Sequence, residues 1–400
     1  MKLFHTATDE DIKRGRTTDI YFHRTKQILR AKGKDKVRVV AEVTTGSPPD
    51  NHSWGLLCGV AEVARLLEGL PVDVYSMPEG SVFHSVDSLG YRSPVITVEG
   101  TYMDFCEYET PLLGLICQES AVASRAAYIR KAAGSKPVVA FGIRRIHPVL
   151  APAMDRAAYI GGMDGVSSIL GAEACGIEPT GTMPHSLIII FGDQVEAWKA
   201  YDEVVDPDSP RIILADTYYD EKTEAIMAAE ALKERLHGVR LDTPGSRRGD
   251  FPKIVKEVRW ELDLRGFQDV KIFVSGGLNE KTVAELSEAG ADAFGVGTWV
   301  SGAPTLDFAM DIVEVDGRPH AKRGKLGGRK QVWRCKECLM DSVKPADQPA
   351  PRCMVCGGET EPMLKPLLKN GKIVEPLPEP TEIRDRVLRQ LEKLESCEKR

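Results

Sequence analysis

The sequence predicts an α/β protein, with an incomplete TIM-like α/β barrel between a β-rich N-terminal domain and a small C-terminal zinc ribbon. Two observations support this. Between residues 111 and 300, short apolar runs alternate with amphipathic helices, as parallel strands and crossover helices do. Four of the nine cysteines form two Cys-x-x-Cys pairs near the C-terminus. The predicted segments are 1–110 (N-terminal domain with a substrate-contacting arm), 111–300 (barrel), 301–330 (return to the N-terminal domain) and 331–400 (ribbon and terminal helix).

The composition is that of a globular protein without a general attraction to nucleic acid. Of its 400 residues 42% are apolar, which suffices for a large core, and the net charge is -6. No apolar run reaches the length of a membrane span, and the first residues lack a signal-peptide layout, so we expect a cytoplasmic protein with no membrane partner. Only three Asn and seven Gln stand against 53 basic and 59 acidic residues, a bias typical of thermophiles.

The first 110 residues are predicted to be β-rich. The runs VRVVAEVT, VDVYSM and SPVITVEG are separated by turns rich in Gly and Pro. One helix is predicted between Gly55 and Gly69. The segment 16–22, which contains Tyr21, is polar and then aromatic, and it is predicted to be a flexible arm.

About seven strand–helix repeats are predicted from Pro111 onward. Five strands have clear apolar runs, whereas GMDGVSS and TGTM are weaker candidates. The predicted helices are 112–133, 152–160, one ending near 176, 195–204, 221–236 and 252–265. Polar side chains follow the strands, at the edge where barrel enzymes place their chemistry. They are Arg144, Ser167, Thr182, His185, Asp216, Arg240, Asp242 and Ser275.

The repeat from Ile272 to Gly297 is the strongest candidate for a binding site. It reads IFVSGGLNEKTVAELSEAGADAFGVG, a strand–helix–strand unit with glycine at the end of each strand. Glycines let the backbone approach a ligand, and the helix that begins near Asn279 offers N–H groups to an anion. Glycines that only turn the chain are the alternative. A phosphate site is favoured, and its candidate residues are Ser275, Gly276, Gly277, Gly295, Gly297 and Thr298.

The two cysteine pairs have the spacing of a zinc ribbon. They are Cys335 with Cys338 and Cys353 with Cys356. Four thiolates close a tetrahedron and leave no open position, so the predicted Zn²⁺ is structural. The loop between the pairs is poor in basic and aromatic residues, which does not favour nucleic acid. A charged amphipathic helix is predicted from Thr381.

Several motifs of the chain resemble those of nicotinate phosphoribosyltransferases. They are FGIRR (141–145), YIGGMDGVSSILGA (159–172), TGTMPHS (180–186), VRLDT (239–243) and SGGLNE (275–280), together with TTDIYF and ETPLL. The resemblance covers about residues 6–320, and the ribbon resembles that of a short archaeal-type branch. It implies a type II phosphoribosyltransferase of NAD biosynthesis. The implied reaction joins nicotinate to 5-phosphoribosyl 1-pyrophosphate (PRPP), commonly with ATP hydrolysis, and gives nicotinate mononucleotide and pyrophosphate.

The resemblance also implies roles for single residues. His185 would accept a phosphoryl group from ATP, and a helix-capping or core histidine is the alternative. Phe141 and Tyr21 would sandwich the pyridine ring, with Tyr21 supplied by a second subunit of a homo-oligomer with shared active sites. Ser167 or Thr180 would bind the nicotinate carboxylate. The segment GVSSI lacks the acidic residue that amide-using relatives have there, which favours the acid.

Departure of pyrophosphate explains the charged residues of the same edge, because it leaves an oxocarbenium-like ribose beside several phosphates. Arg144 and Arg240 suit phosphate or carboxylate groups. Asp216 and Asp242 suit the ribose hydroxyls or Mg²⁺. Exposed salt bridges are the alternative for each. The segment LDTPGSRRGD is longer than in many relatives, which leaves the roles of Arg247, Arg248 and Asp250 open.

Three other functions fit parts of the sequence. Quinolinate phosphoribosyltransferase shares the architecture, but it decarboxylates a diacid and needs a denser basic cage. An aldolase or sugar-phosphate isomerase barrel needs a Schiff-base lysine or a Glu/His pair, and no predicted strand end carries a lysine. A non-catalytic zinc-ribbon scaffold leaves the polar edge of the barrel unexplained.

Overall fold

The computed structural model describes residues 3–48, 50 and 52–398 and divides into two compact units. The sheet unit comprises Met1–Ser124 and Ala303–Arg400, and the barrel unit comprises Arg125–Gly302. The predicted boundary at residue 110 differs from this division, which falls inside one long helix, Glu109–Ala133.

The helices and strands are as follows. The helices are α1 (Asp9–Lys13), α2 (Ile20–Ala31), α3 (Val60–Leu67), α4 (Tyr102–Phe105), α5 (Glu109–Ala133), α6 (Ala151–Ile160), α7 (Ile169–Cys175), α8 (His185–Phe191), α9 (Gln194–Val204), α10 (Glu221–Leu232), α11 (Phe251–Leu264), α12 (Glu280–Glu288), α13 (Thr298–Ser301) and α14 (Pro380–Glu398). The strands are β1 (Arg38–Thr45), β2 (Gly55–Leu56), β3 (Val72–Ser76), β4 (Val82–Phe83), β5 (Ile96–Thr101), β6 (Val138–Ala140), β7 (Gly165–Val166), β8 (Ile212–Leu214), β9 (Gly238–Leu241), β10 (Lys271–Ser275), β11 (Ala293–Val296), β12 (Phe308–Val315), β13 (Arg318–Pro319), β14 (Lys330–Cys335), β15 (Asp341–Pro345), β16 (Thr360–Pro362), β17 (Lys365–Lys369) and β18 (Lys372–Ile373).

A seven-stranded antiparallel sheet organises the sheet unit, in the order β13-β12-β1-β5-β3-β17-β18. The expected β-rich N-terminal domain is confirmed. Seven of the eight residues of β1 are buried, because β1 lies inside the sheet and its β-branched side chains fill the core. The segment predicted to return to this domain supplies β12 and β13. Strands β17 and β18 also join this sheet, although the prediction assigned 331–400 to the ribbon and terminal helix alone.

The prediction of a flexible arm at 16–22 is wrong, because Ile20 begins α2. Phe22 is only 4% exposed, so the helix has a buried anchor. Lys26 Nζ lies 2.6 Å from the Glu107 carboxylate, which ties α2 to the segment before α5. Tyr21 is 54% exposed and lines a cavity of about 510 Å³ within the sheet unit.

The barrel unit is built on six parallel strands in the order β7-β6-β11-β10-β9-β8. Strands β7 and β8 each have one neighbour, so the sheet stays open and the predicted incomplete α/β barrel is confirmed. Of the two weaker strand candidates, GMDGVSS forms only the two residues of β7 and TGTM forms no strand. The apolar run after TGTM forms α8. No helix within the described residues is long and apolar enough to cross a membrane.

The ribbon is a three-stranded antiparallel sheet in the order β15-β14-β16, with the four cysteines at one end. Cys335 Sγ lies 3.4 Å from Cys356 Sγ, and Cys338 Sγ lies 3.6 Å from Cys353 Sγ and 3.5 Å from Cys356 Sγ. A tetrahedral Zn²⁺ with Zn–S bonds of about 2.3 Å requires sulfur separations of about 3.8 Å. Small outward shifts of the four sulfurs therefore accommodate the ion.

We expect one structural Zn²⁺ per chain, held by these four cysteines. Replacing Cys338 by Ser should remove the zinc and loosen the ribbon, because a structural zinc site contributes directly to folding free energy. Cys117→Ser is a matched control, since Cys117 lies outside the cluster. Metal analysis of protein purified without chelator measures the content. Wild-type protein that carries no zinc would contradict the assignment.

Candidate active site

The polar edge predicted from the sequence forms one cavity of about 1030 Å³ in the barrel unit. It lies where the parallel strands end, as is usual for ligand sites of open α/β sheets. Its lining residues are Arg125, Phe141, Ile143, Arg144, Arg145, Ser167, Gly181, Thr182, Met183, Pro184, His185, Ser186, Arg240, Asp242, Ser275, Gly276, Gly277, Leu278, Asn279, Gly295, Gly297, Thr298, Trp299 and Gly302.

His185 stands between two carboxylates at this edge. It is the first residue of α8, and its Nε2 lies 3.7 Å from Asp216 Oδ1 and 3.8 Å from Asp242 Oδ2. Its Nδ1 is 3.1 Å from Thr217 Oγ1, which fixes the plane of the ring. This geometry leaves Nε2 facing the two carboxylates.

Asp216 is a buried carboxylate that shapes the loop after β9. Its Oδ2 accepts hydrogen bonds from Asp242 N at 3.1 Å and from Thr243 Oγ1 at 3.0 Å. Its Oδ1 is buried and has no hydrogen-bond partner among the described residues. Burial raises the pKa of Asp216, and the nearby His185 opposes that rise. Asp216 therefore lies beneath the cavity and orients Asp242 above it.

Asp242 presents a carboxylate to the cavity. Ser275 Oγ donates to its Oδ1 at 2.7 Å, while Oδ2 faces His185 and lies 4.0 Å from Arg240 Nη2. Its side chain is 23% exposed, so one oxygen can reach a ligand or a metal ion. The hydroxyl of Ser275 is thus committed to Asp242, and any phosphate contact of Ser275 must come from its backbone.

Arg240 is the buried cation of the edge. Its Nη2 donates to Met183 O at 3.1 Å, and its Nε is buried without a hydrogen-bond partner in the described chain. Burial lowers the pKa of the guanidinium, and the Asp242 carboxylate opposes this. Arg144 and its neighbour Arg145, on a 3₁₀ turn after β6, are exposed. Neither pairs with a carboxylate of the described residues, so both are available to an anionic ligand.

The turn after β10 requires glycine. Gly276 has φ +93°, and a Cβ there would lie 2.9 Å from the carbonyl oxygen of Asp242. Gly277 follows with φ +68°, so the two peptides curl into a concave backbone typical of anion sites. Arg248 Nη1 donates to Thr243 O at 2.7 Å and to Gly276 O at 3.0 Å. Arg248 therefore ties this turn to the loop after β9, a role that the sequence left open.

Phe141 forms an apolar wall of the cavity. Its ring stacks on Phe273, with centroids 5.8 Å apart, and Arg240 Cζ lies 6.0 Å from the ring centroid. Gly295 leaves the space that the ring fills, since a Cβ at Gly295 would overlap two ring carbons of Phe141.

The structure gathers most of the predicted site residues, but three do not line this cavity. Asp216 lies beneath it, as described above. Thr180 packs against Gly165, and its N–H donates to Val166 O at 2.8 Å, so it supports β7 instead. Tyr21 belongs to the sheet unit. The predicted residues that line the cavity are Phe141, Arg144, Ser167, Thr182, His185, Arg240, Asp242, Ser275, Gly276, Gly277, Gly295, Gly297 and Thr298.

Sequence reasoning missed three residues that shape the site, namely Arg125, Trp299 and Glu224. Arg125 Nη1 donates to Trp299 O at 2.7 Å, and the guanidinium lies 4.0 Å from the Trp299 ring centroid, on the cavity wall. Glu224 is fully buried and accepts the N–H groups of Thr217 and Tyr218 at 2.9 and 2.6 Å, which holds the loop after β8. Glu224 lies in the first turn of α10, and its position carried no motif that distinguishes it from a surface acid.

The fold and the cavity define an open α/β half barrel with arginines and a glycine turn at the edge where its strands end. Two family models match the chain: "Quinolinate phosphoribosyl transferase, N-terminal domain" over residues 19–120 and "Quinolinate phosphoribosyl transferase, C-terminal domain" over residues 122–311. A crystal structure of nicotinate-nucleotide pyrophosphorylase from Pyrococcus furiosus is 56% identical, with 99% of each chain covered and a TM-score of 0.94. The chain belongs to the quinolinate phosphoribosyl transferase family.

Two other similarities extend this comparison. Nicotinate phosphoribosyltransferase pncB1 of Mycobacterium tuberculosis is 32% identical over 297 residues, which span 70% of this chain but only 64% of that protein. Human nicotinic acid phosphoribosyltransferase is 22% identical, with 94% of this chain and 93% of that chain covered and a TM-score of 0.76, a similarity of fold. The resemblance to nicotinate phosphoribosyltransferases is thus that of distant relatives.

Proposed function

We propose that the chain transfers the 5-phosphoribosyl group of PRPP to the ring nitrogen of a pyridine carboxylate and gives nicotinate mononucleotide and pyrophosphate, within NAD biosynthesis. The observation that carries this proposal is one cavity that combines a glycine turn, the Asp242 carboxylate, four arginines and an aromatic wall. The turn suits the 5′-phosphate, the arginines suit the other anionic groups, and the aromatic wall suits the pyridine ring.

The chemistry assigns a task to each group. The bond between ribose C1 and the pyrophosphate oxygen breaks, and a bond from the pyridine nitrogen to C1 forms. Positive charge develops on the ribose in between, and the Asp242 carboxylate that faces the cavity stabilises it, while Asp216 holds Asp242 in place. Asp242 also suits the ribose hydroxyls or a Mg²⁺ that screens the pyrophosphate. Arg240 suits the leaving pyrophosphate, and Phe141 orients the pyridine ring by stacking.

Quinolinate is the acceptor favoured by the comparisons. The family description names quinolinate phosphoribosyl transferase, and the 56% identical structure is described as a nicotinate-nucleotide pyrophosphorylase. With quinolinate, the carboxylate next to the ring nitrogen leaves as CO₂ after the new bond forms, so one CO₂ accompanies each nicotinate mononucleotide. This reaction needs cations for two carboxylates as well as for the phosphates of PRPP.

Nicotinate is a second candidate, favoured by the cations of the cavity. Four arginines line it and no described lysine does. Arg125 donates to backbone carbonyls and Arg240 is assigned to the leaving pyrophosphate, which leaves the exposed Arg144 and Arg145 for the acceptor. This supply suits one carboxylate better than two. With nicotinate, His185 is the proposed phosphoryl acceptor from ATP, Ser167 is the proposed carboxylate ligand, and Tyr21 is proposed to reach the ring from a second subunit.

A product assay tests the proposal and separates the two acceptors. Zinc-loaded protein is incubated with PRPP, Mg²⁺ and one of nicotinate, quinolinate or nicotinamide, with and without ATP. We expect nicotinate mononucleotide and pyrophosphate from a pyridine acid, and no product from nicotinamide, because the cavity offers arginines to an anionic substituent. Release of one CO₂ per nicotinate mononucleotide identifies quinolinate as the acceptor. If nicotinate gives product and ATP increases its yield, nicotinate is the acceptor. Absence of product from both acids would contradict the proposal.

A further inference from the structure

A smaller cavity, of about 300 Å³, lies in the sheet unit between the ribbon and α14. Five of its lining residues are basic and one is acidic. The basic residues are Arg334, Lys365, Arg386, Arg389 and Lys393, and the acidic residue is Glu361. None of the described residues that line it is aromatic. This cavity concentrates positive charge in a chain whose net charge is -6.

The cations of α14 lie on one face of the helix. Arg386, Arg389 and Lys393 follow the i, i+3, i+7 spacing that places side chains side by side. The helix is fixed in place by Gln390. Its Oε1 accepts a hydrogen bond from Val82 N at 2.9 Å, and its Nε2 donates to Gly80 O at 2.8 Å. Arg386 Nη1 also donates to Glu79 O at 2.6 Å. The basic face is thus held in a defined position.

Arg334 brings a second, independent feature to this cavity. The residue is 2% exposed, and its Nε and Nη2 each donate to Asp341 at 2.8 Å. Its third nitrogen, Nη1, is buried and has no hydrogen-bond partner among the described residues. An unpaired buried donor is costly, and a guanidinium pairs best with a carboxylate or phosphate oxygen. The guanidinium therefore has one N–H group that can donate to a further anionic oxygen.

Two of the remaining cations have no side-chain partner. Neither Lys365 nor Arg389 forms an ion pair or side-chain hydrogen bond within the described chain. Burial lowers the pKa of Arg386, and the neighbouring Arg389 lowers it further, whereas Glu79 and Glu382 oppose this. Lys365 and Arg389 therefore offer unpaired positive charge to a bound polyanion, with Glu361 as the one acidic residue of the lining.

We propose that this cavity binds a small phosphate-bearing anion of the pyrophosphate class, at a site separate from the cavity of the barrel unit. Its volume is at the lower end of the range for small-molecule sites, about 300–1,000 Å³. Single-stranded nucleic acid is less favoured, because such sites combine positive charge with aromatic side chains on which bases stack.

The test compares pyrophosphate binding by the full-length, zinc-loaded chain and by its charge variants, using calorimetry without added Mg²⁺. The double variant Lys365→Glu/Arg389→Glu changes two exposed residues without side-chain partners, so its fold and zinc content should be retained. Lys372→Glu, an exposed change on β18 outside the cavity, is the control. We expect the double variant to bind one pyrophosphate fewer per chain than the wild type and the control. Equal binding by all three proteins would overturn the proposal.

Arginine labelling locates the site independently of any binding in the barrel unit. Pyrophosphate should slow the reaction of Arg389 with phenylglyoxal, read by mass spectrometry, and should leave the exposed Arg30 unchanged. Orthophosphate in a parallel arm distinguishes a diphosphate from a single phosphate, since protection by pyrophosphate should occur at lower concentration. Arg389 that reacts equally fast with and without pyrophosphate overturns the proposal. Protection by a single-stranded oligonucleotide but not by pyrophosphate overturns it in favour of nucleic acid.

Discussion

Replacing Asp242 by Asn should lower kcat/KM for PRPP by about a hundredfold to a thousandfold, the usual effect of removing one preorganised electrostatic group from an active site. The carboxylate receives the Ser275 hydroxyl at 2.7 Å and lies 3.8 Å from His185 Nε2. Asn keeps the shape and can still accept from Ser275, but it removes the negative charge that the developing ribose cation or Mg²⁺ requires. Initial rates at varied PRPP and Mg²⁺ measure the effect.

The control for this variant is Asp269→Asn, which removes the same charge from an exposed loop before β10. It should leave both the rates and the melting temperature unchanged. If Asp242→Asn retained wild-type kcat/KM while folding normally, Asp242 would be a structural residue, and the proposed role of the carboxylate pair would be wrong.

The elements that the sequence predicted best are those whose signal is local. Buried parallel strands are apolar runs bounded by glycine, so β9, β10 and β11 could be found by pattern alone. The cysteine spacing likewise identified the ribbon, because each pair needs only one tight turn. The open sheet with its polar edge follows from these local units, since parallel strands connected by helices bring their carboxyl ends to one side.

The errors concern contacts between distant parts of the chain. The segment that contains Tyr21 looks unsupported in isolation, yet Phe22 is buried and Lys26 pairs with Glu107, far along the sequence. Strand β17 pairs with β3, although the whole ribbon follows β12 before β17 begins. The local sequence pattern of β17 does not predict that it pairs with β3. The position of Thr180 beside Gly165 is a tertiary contact of the same kind.

The choice of acceptor also depends on contacts between distant parts of the chain. Motif order identifies the architecture, and the architecture is shared by enzymes for one-carboxylate and two-carboxylate substrates. Discrimination between these two kinds of substrate depends on which cations of the cavity have no partner within the protein. Arg240 is partly committed to Met183 O, a contact that the sequence could not reveal. The number of arginines that can bind substrate anions therefore depends on contacts that form only in the folded protein.

The apolar wall of the cavity depends on the absence of a side chain at Gly295. This residue lies in β11, where a Cβ would overlap two ring carbons of Phe141 and lie 3.0 Å from Phe273 Cε1. Phe141 cannot simply withdraw from Gly295 toward β10, because Phe273 is stacked against it. A methyl group at position 295 must therefore push the Phe141 ring into the cavity, where the pyridine ring is proposed to bind.

Gly295→Ala is expected to lower kcat/KM for the pyridine acid by about a hundredfold, since displacing a positioning group by about 1 Å has effects of this size. Overpacking should also lower the free energy of unfolding by about 1–3 kcal/mol. Gly181→Ala is the matched control, because Gly181 lines the same cavity and a Cβ there meets nothing within 4 Å. Steady-state rates with varied acid and varied PRPP, together with denaturant unfolding, measure both effects. The KM for the acid should rise more than the KM for PRPP, because the pyridine ring is proposed to stack on Phe141 and the phosphates are proposed to bind elsewhere along the edge. Equal rises in the two constants, or no loss beyond that of Gly181→Ala, would show that Phe141 does not contact the pyridine ring.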